Sequence, residues 1–335
     1  MSQTITTGVR AERWALAAAA VTMLLWASAF VSIRSAAPHF SPGALALGRM
    51  LVGSIVLGGI LLVRREGLPP RAAWPGILGS GLLWFGLYMV ALNWGEHEVD
   101  AGTAALLLGI GPVLVALLGS WLLKEGISRR LLAGIAVAFA GTVVVGISVS
   151  TGEGSSVRGV LLCLLAAVAF AGGVVCQKPA LRHASPLQAT LFGCVVAAVA
   201  CLPFAGQFVG EVGEAPASAL LNVMFLGAFP TALAFTTWAY ALSRLSAGTL
   251  GATTYVVPVL TVLISWIALG EVPALLTFVG GALCLAGVTV SRGRSKPHPA
   301  SPAPDPVPAP DEAAVGPEGQ EPDVTPVRSA AADSK

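Results

Sequence analysis

Charge is what this chain lacks most. Asp, Glu, Lys and Arg make up 11% of its 335 residues, while 55% are hydrophobic; an ordinary soluble domain carries about 25% charged residues. So little charge cannot clothe a water-facing surface, which excludes a soluble protein and points to a polytopic membrane protein. Histidine is also scarce, with four in all, and His97-Glu98-Val99-Asp100 has no second His to complete a zinc motif. Neither a phosphate-binding loop nor a nucleophile elbow is present, so a membrane-embedded enzyme finds no support and no cofactor, metal or nucleic acid is called for. The five cysteines (Cys163, Cys176, Cys194, Cys201, Cys284) all fall within long apolar runs, as small packing residues rather than a disulfide framework.

A third absence concerns those runs. None has Asp, Glu, Lys or His in its interior, so no buried carboxylate is expected to carry a proton or hold a cationic drug. That speaks against exchanging protons for cations through one in-span acid, and favours zwitterionic, anionic or neutral polar substrates.

What is present is span-length hydrophobicity. A bilayer core of about 30 Å takes about 20 residues of helix, and ten stretches qualify: 14–33, 42–63, 74–95, 101–123, 131–149, 159–177, 187–207, 217–240, 247–269 and 273–290. The fold class expected is all-α polytopic membrane protein. The first span follows Arg10 and Arg13 but is too long for a signal core and is expected to remain uncleaved. With the N-terminus inside, the cytoplasmic flanks hold fourteen Lys and Arg residues, and the outer loops hold two, Arg34 and Arg158. Positive charge is retained inside, so both termini are expected in the cytoplasm, with the chain in the plasma (inner) membrane. Beyond Arg292 the composition turns to Pro, Ala, Ser, Asp and Glu, with ten prolines between Pro297 and Pro326; such a tail buries too little to order itself.

The chain also repeats. Ala101-Gly102-Thr103 recurs 146 residues later as Ala247-Gly248-Thr249, and at that offset Pro112 matches Pro258, Glu125 matches Glu271, Gly134 matches Gly280 and Gly141 matches Gly287. At an offset of 144, Trp26 matches Phe170, Arg34 matches Lys178, His39 matches His183 and Ser41-Pro42 matches Ser185-Pro186. Halves of five spans are odd in number, so the copies are inverted, a construction common among secondary transporters. The organisation read is a cytoplasmic N-terminus at 1–13, a first five-helix repeat at 14–149, an outer loop at 150–158, a second repeat at 159–290 and a disordered Pro-rich tail at 291–335.

The stretch Trp26-Ala-Ser-Ala-Phe30-Val-Ser-Ile-Arg34 resembles the first-span pattern of EamA-type transporters in the drug/metabolite transporter superfamily, where Lys commonly stands at the position of Arg34. Arg49 in the second span, a proline inside spans four and nine and a Glu just after each match too, over about residues 14–290. The resemblance implies a 5+5 inverted repeat of ten helices around a central cavity, moving small organic molecules by alternating access. It leaves the substrate open among amino acids, other metabolites and drugs. The leading expectation is plasma-membrane export of a small polar metabolite, amino-acid-like or an organic acid; drug or toxic-compound efflux is the alternative.

Several residues are candidates. Arg49 is the one charge well inside a span, about 10 Å from its start at 1.5 Å per residue. It reads either as a carboxylate-binding group or as a packing residue that finds carbonyls or the interface. Arg34 and Lys178 are gate or substrate contacts, or else interfacial anchors. Pro112 and Pro258 lack an N–H, should free carbonyls near Leu108 and Thr254, and serve as hinges or as packing kinks. Glu125 and Glu271 cap the following helices or act as gates. Trp84 and Tyr88, Thr231, Phe235 and Trp238, and Tyr255 form the cavity set with Arg49 and Arg34; Asn93, Trp94 and Tyr240 sit near span ends. Small-residue faces, Gly134, Ala138 and Gly141 in span five and Gly280, Cys284 and Gly287 in span ten, suit close packing or a homodimer contact.

Overall fold

The computed structural model describes residues 2–122, 133–134, 136–137, 140–141, 143–144, 147, 156–245, 250, 253–254, 256–271 and 274–291. The elements among them are all helical. In chain order they are α1 (Arg13–Ala36, the apolar part of a longer helix), α2 (Pro42–Arg64), α3 (Arg71–Glu98), α4 (Ala101–Leu108), α5 (Gly111–Leu122), α6 (Val157–Ala180), α7 (Pro186–Ala200), α8 (Leu202–Glu214), α9 (Ala217–Leu242), α10 (Val256–Leu269) and α11 (Leu275–Ser291). Five of them, α1, α2, α3, α6 and α9, are each long and apolar enough to cross a bilayer. Most of the expected fifth span, the loop up to 155 and the tail from 292 lie outside the described residues.

Local chemistry explains the starts. Pro42 and Pro186 occupy the first turn of α2 and α7, where a missing N–H is no loss and φ is already helical. Ser185 and Gln188 close a reciprocal capping box on α7. Asp100 caps α4 by accepting from the Thr103 amide at 2.8 Å, and Ser156 caps α6 by accepting from the Gly159 amide at 3.0 Å.

Where the structure departs from ten uninterrupted helices, backbone chemistry gives the reason. The expected seventh span bends by 54° between α7 and α8, because Pro203 cannot continue the helix and starts a short 3-10 turn at Leu202–Phe204. The expected fourth span breaks at Gly109–Ile110, and Pro112 becomes the second residue of α5. Pro258 is likewise the third residue of α10. Both prolines thus stand in a first turn, where no intrahelical partner awaits their N–H. The Thr254 carbonyl, expected to be freed, accepts the Val257 amide at 3.0 Å.

Two further distortions match each other. α3 widens into a π-helical segment over Gly81–Tyr88 and α9 does so over Gly227–Leu233, starting at glycines 146 residues apart. A Cβ on Gly81 would stand 2.8 Å from the Val196 Cβ and 3.0 Å from the Gly193 carbonyl; one on Gly227 would stand 2.4 Å from the Val52 Cβ and 3.0 Å from the Arg49 carbonyl. Val52 and Val196, like Arg49 and Gly193, are 144 residues apart. α3 therefore approaches α7 as α9 approaches α2, and only glycine permits that approach. The same reciprocity governs the first spans: α1 packs on α9 and α10, while α6 packs on α3, α4 and α5.

Candidate functional site

These crossings surround a cavity that holds about 660 Å³ of empty space when the open solvent at its mouth is counted. Its wall is mostly apolar: Trp26, Phe30 and Ile33 from α1, Met89 and Leu92 from α3, Phe170 from α6, Phe235 from α9 and Val257 from α10. Arg49, Tyr88 and Thr254 add polar groups, and Pro112 and Pro258 line it at the helix breaks.

Arg49 is 2% exposed. Its Nη2 donates to Thr231 Oγ1 at 3.4 Å, a long bond, while Nε and Nη1 are buried without a partner among the described residues. A guanidinium presents its N–H groups as a rigid fork that fits a carboxylate bidentately. Here a permanent cation borders an aromatic cavity with part of that fork unused. Thr231 belongs to the π-helical segment of α9, so the distortion of that helix positions Arg49's one partner among the described residues.

The wall's aromatic residues belong to a cluster that continues behind it. Trp26 is its hub, with ring centroids 4.9 Å from Trp238, 6.0 Å from Trp84 and Phe235, and 6.3 Å from Phe170. Phe85 and Phe235 stack at 4.7 Å, and Tyr88 meets Phe170 at 6.1 Å. Offset and edge contacts of this kind hold the wall rigid. Of the expected cavity set, Arg49, Tyr88 and Phe235 face the space, whereas Trp84 and Trp238 are fully buried in the layer that supports it. Tyr255 and Glu125 lie outside the described residues. Asn93 is buried and donates to the Pro42 carbonyl at 3.0 Å; Trp94 and Tyr240 lie under the guanidinium groups of Arg158 and Arg244.

Arg34 sits beyond one end of the cavity and does not line it. Its Nε donates to Glu271 Oε1 at 2.9 Å and its Nη1 to the Glu96 carbonyl at 2.8 Å, so it ties α1 to α3 and to the end of α10. Among the described residues Glu271 takes its hydrogen bonds from Arg34 and Ser265 rather than from helix amides. Lys178 is exposed.

The expectation that the chain holds no buried carboxylate does not stand, although Glu96 lies just past the expected end of the third span. α3 runs on past the apolar window to Glu98, and Glu96 inside it is 0% exposed, with both carboxyl oxygens unpartnered. The signal was Gly95, whose added Cβ would stand 2.7 Å from Cys163 Sγ: α3 is still pressed against α6 there. Trp26 and Phe170 were missed as cavity residues, although the repeat aligns these aromatics. Among the described residues no group of His, Cys, Asp and Glu could hold a metal.

A model of the EamA-like transporter family matches residues 13–147 and again 157–292. A protein of Streptantibioticus cattleyicolor, described as a probable terminal-alkyne amino-acid exporter, is 37% identical over 84% of this chain and 93% of its own length. An uncharacterized transporter of Bacillus subtilis is 32% identical over 79% of this chain and 86% of its own. A probable amino-acid metabolite efflux pump of Salmonella typhimurium is 26% identical over 82% and 93%. One crystal structure superposes with a TM-score of 0.58 over 83% of this chain and 96% of the other, at 23% identity, a likeness of fold alone.

Proposed function

The chain belongs to the EamA-like transporter family, and from that premise we propose that it exports a small amino-acid-like or organic-acid metabolite across the plasma membrane by alternating access. One observation carries the substrate class: a buried guanidinium with Nε and Nη1 unpaired among the described residues, bordering a mostly apolar and aromatic cavity. Leaving such a charge unpaired costs several kcal/mol, and a substrate carboxylate removes that cost. The descriptions of two relatives, a probable terminal-alkyne amino-acid exporter and a probable amino-acid metabolite efflux pump, point the same way. Drug efflux is the alternative reading, drawing on the aromatic wall; a fixed positive charge inside disfavours cationic drugs.

The architecture proposed is ten spans in two inverted halves, with both termini cytoplasmic. The mirrored glycine contacts of α3 on α7 and α9 on α2 support the inversion. So does the meeting of groups that the topology assigns to one face. Arg34, Glu96 and Glu271, all assigned by that topology to the outer face, come together, and Glu66 and Gly67, assigned to the inner face, meet Ser185 and Gln188, assigned there too. Pro112 and Pro258 serve as hinges, Arg34 and Glu271 as an outer gate, and Tyr88 and Phe235 as substrate contacts. Counterflow in proteoliposomes tests the reading against a panel of amino acids, organic acids, sugars and cationic dyes. Exchange of carboxylate-bearing solutes is expected, and exchange confined to cationic dyes refutes it.

A further inference from the structure

Glu96 is the one acid among the described residues with both carboxyl oxygens buried and unpartnered. The other acids near it are engaged. Asp100 accepts from Thr103 at 2.8 and 2.5 Å, Glu98 pairs with Arg158 at 3.4 Å and Glu271 pairs with Arg34 at 2.9 Å. Arg34 hydrogen-bonds the backbone carbonyl of Glu96 and leaves its carboxyl alone. The titratable and charged groups facing Glu96 are Arg34 from α1, Arg49 from α2, Tyr88 on its own helix, Asp100 at the start of α4, Cys163 from α6 and Glu271 after α10. None forms an ion pair or hydrogen bond with its carboxyl oxygens.

An ionised carboxylate left thus would be a buried, unpaired charge, which proteins avoid by pairing or by neutralising it. Two guanidinium groups stand near and neither turns to it, so the arrangement is that of a neutral carboxyl bearing its proton. Glu96 lies one turn beyond Leu92 and two beyond Met89, which line the cavity, and is itself buried next to that lining rather than part of it. Arg49, within electrostatic reach, also has unused hydrogen-bonding capacity. Two opposite groups, each unsatisfied and not joined to one another, make a site complementary to a zwitterion.

We propose that Glu96 is the proton-binding site of this transporter and that an α-amino acid displaces the proton, its carboxylate on Arg49 and its ammonium on Glu96. This rests on the export reading and narrows it to amino acids. In the empty inward-open site Glu96 carries its proton. As the zwitterion enters, the Glu96 O–H breaks, the proton passes to cytoplasmic water and the carboxylate takes the ammonium. After the gates exchange, the amino acid leaves outward and a proton from outside replaces it. One proton enters for each amino acid exported.

The test uses full-length protein in vesicles enclosing a pH-sensitive dye, with labelled L-leucine and L-phenylalanine as probes and N-acetyl-L-phenylalanine as the analogue that keeps the carboxylate and lacks the ammonium. Wild type should move one proton per amino acid and none with the N-acetyl compound. Glu96→Gln should keep counterflow, with KM raised about tenfold because a neutral acceptor replaces a charged one, and should lose proton movement and uphill accumulation. Glu96→Asp should stay coupled with an altered pH profile. Infrared spectra of the substrate-free protein should contain a protonated-carboxyl band that Glu96→Gln lacks. Unchanged proton movement in Glu96→Gln, or no infrared difference, overturns the assignment while counterflow persists. Absence of counterflow in wild type overturns the amino-acid reading itself, whatever the infrared spectra show.

Discussion

Replacing Arg49 by Met sets two demands of the site against each other. The side chain is 2% exposed and makes one hydrogen bond among the described residues, at 3.4 Å to Thr231. If Arg49 held the helices together, its loss would unfold the protein. The geometry says otherwise: Met fills a similar volume, removes an unpaired buried charge that costs several kcal/mol and forfeits one long bond worth about 1 kcal/mol or less. The melting temperature of purified Arg49→Met should therefore hold or rise. Transport should collapse, because two charge-assisted hydrogen bonds to a carboxylate are together worth roughly 3–4 kcal/mol, or on the order of 10²–10³-fold in half-saturation. Arg49→Lys keeps the charge without the fork and should lose about tenfold. Counterflow on the transported solute and thermal scans in detergent give both numbers. A large fall in melting temperature with binding unaltered would refute the reasoning.

Other outcomes follow from the same geometry. The Arg34–Glu271 pair is partly exposed, at 31% and 25%, so Glu271→Gln should change stability by about 1 kcal/mol at most while altering turnover, and the double exchange Arg34→Glu with Glu271→Arg should restore it. At the repeat offsets of 144 and 146 the residues equivalent to Arg34 and Glu271 are Lys178 and Glu125; under the proposed inverted architecture, cysteines at 178 and 125 should cross-link only in the state where cysteines at 34 and 271 do not, and simultaneous cross-linking would rule out alternating gates. Gly227→Ala and Gly81→Ala should each cost about 1–3 kcal/mol by thermal scan, since a Cβ there meets neighbouring atoms at 3.0 Å or less, whereas Gly58→Ala, with nothing within 4 Å, should be neutral or slightly stabilising. Pro112→Ala and Pro258→Ala restore an N–H in the first turns of α5 and α10 and should slow turnover more than they weaken binding; unchanged kinetics would remove the hinges.

Much of this was legible without coordinates, because the signals were local or periodic. Length and apolarity announce a spanning helix whatever surrounds it, and α1, α2, α3, α6 and α9 lie where the hydropathy puts them. Arg49 was visible because a lone charge in an apolar run has to be accommodated. Tyr88 and Phe235 were named from helical spacing, but so were Trp84 and Trp238. Spacing selects a helix face and does not separate the layer touching the cavity from the layer behind it.

By itself the sequence determined the helical kind of the elements, where the five long spans lie and the types of residue available to a site, since each follows from the covalent order and from elementary preferences of single residues. Only the tertiary structure decided which of those residues are unsatisfied. Whether Arg49 has a partner, whether Arg34 turns to Glu271 or to Glu96, and whether Glu96 meets water or protein depend on helices brought together from both halves of the chain. A charge acquires its meaning from what surrounds it in space, and burial, unlike hydropathy, belongs to the neighbours as much as to the residue.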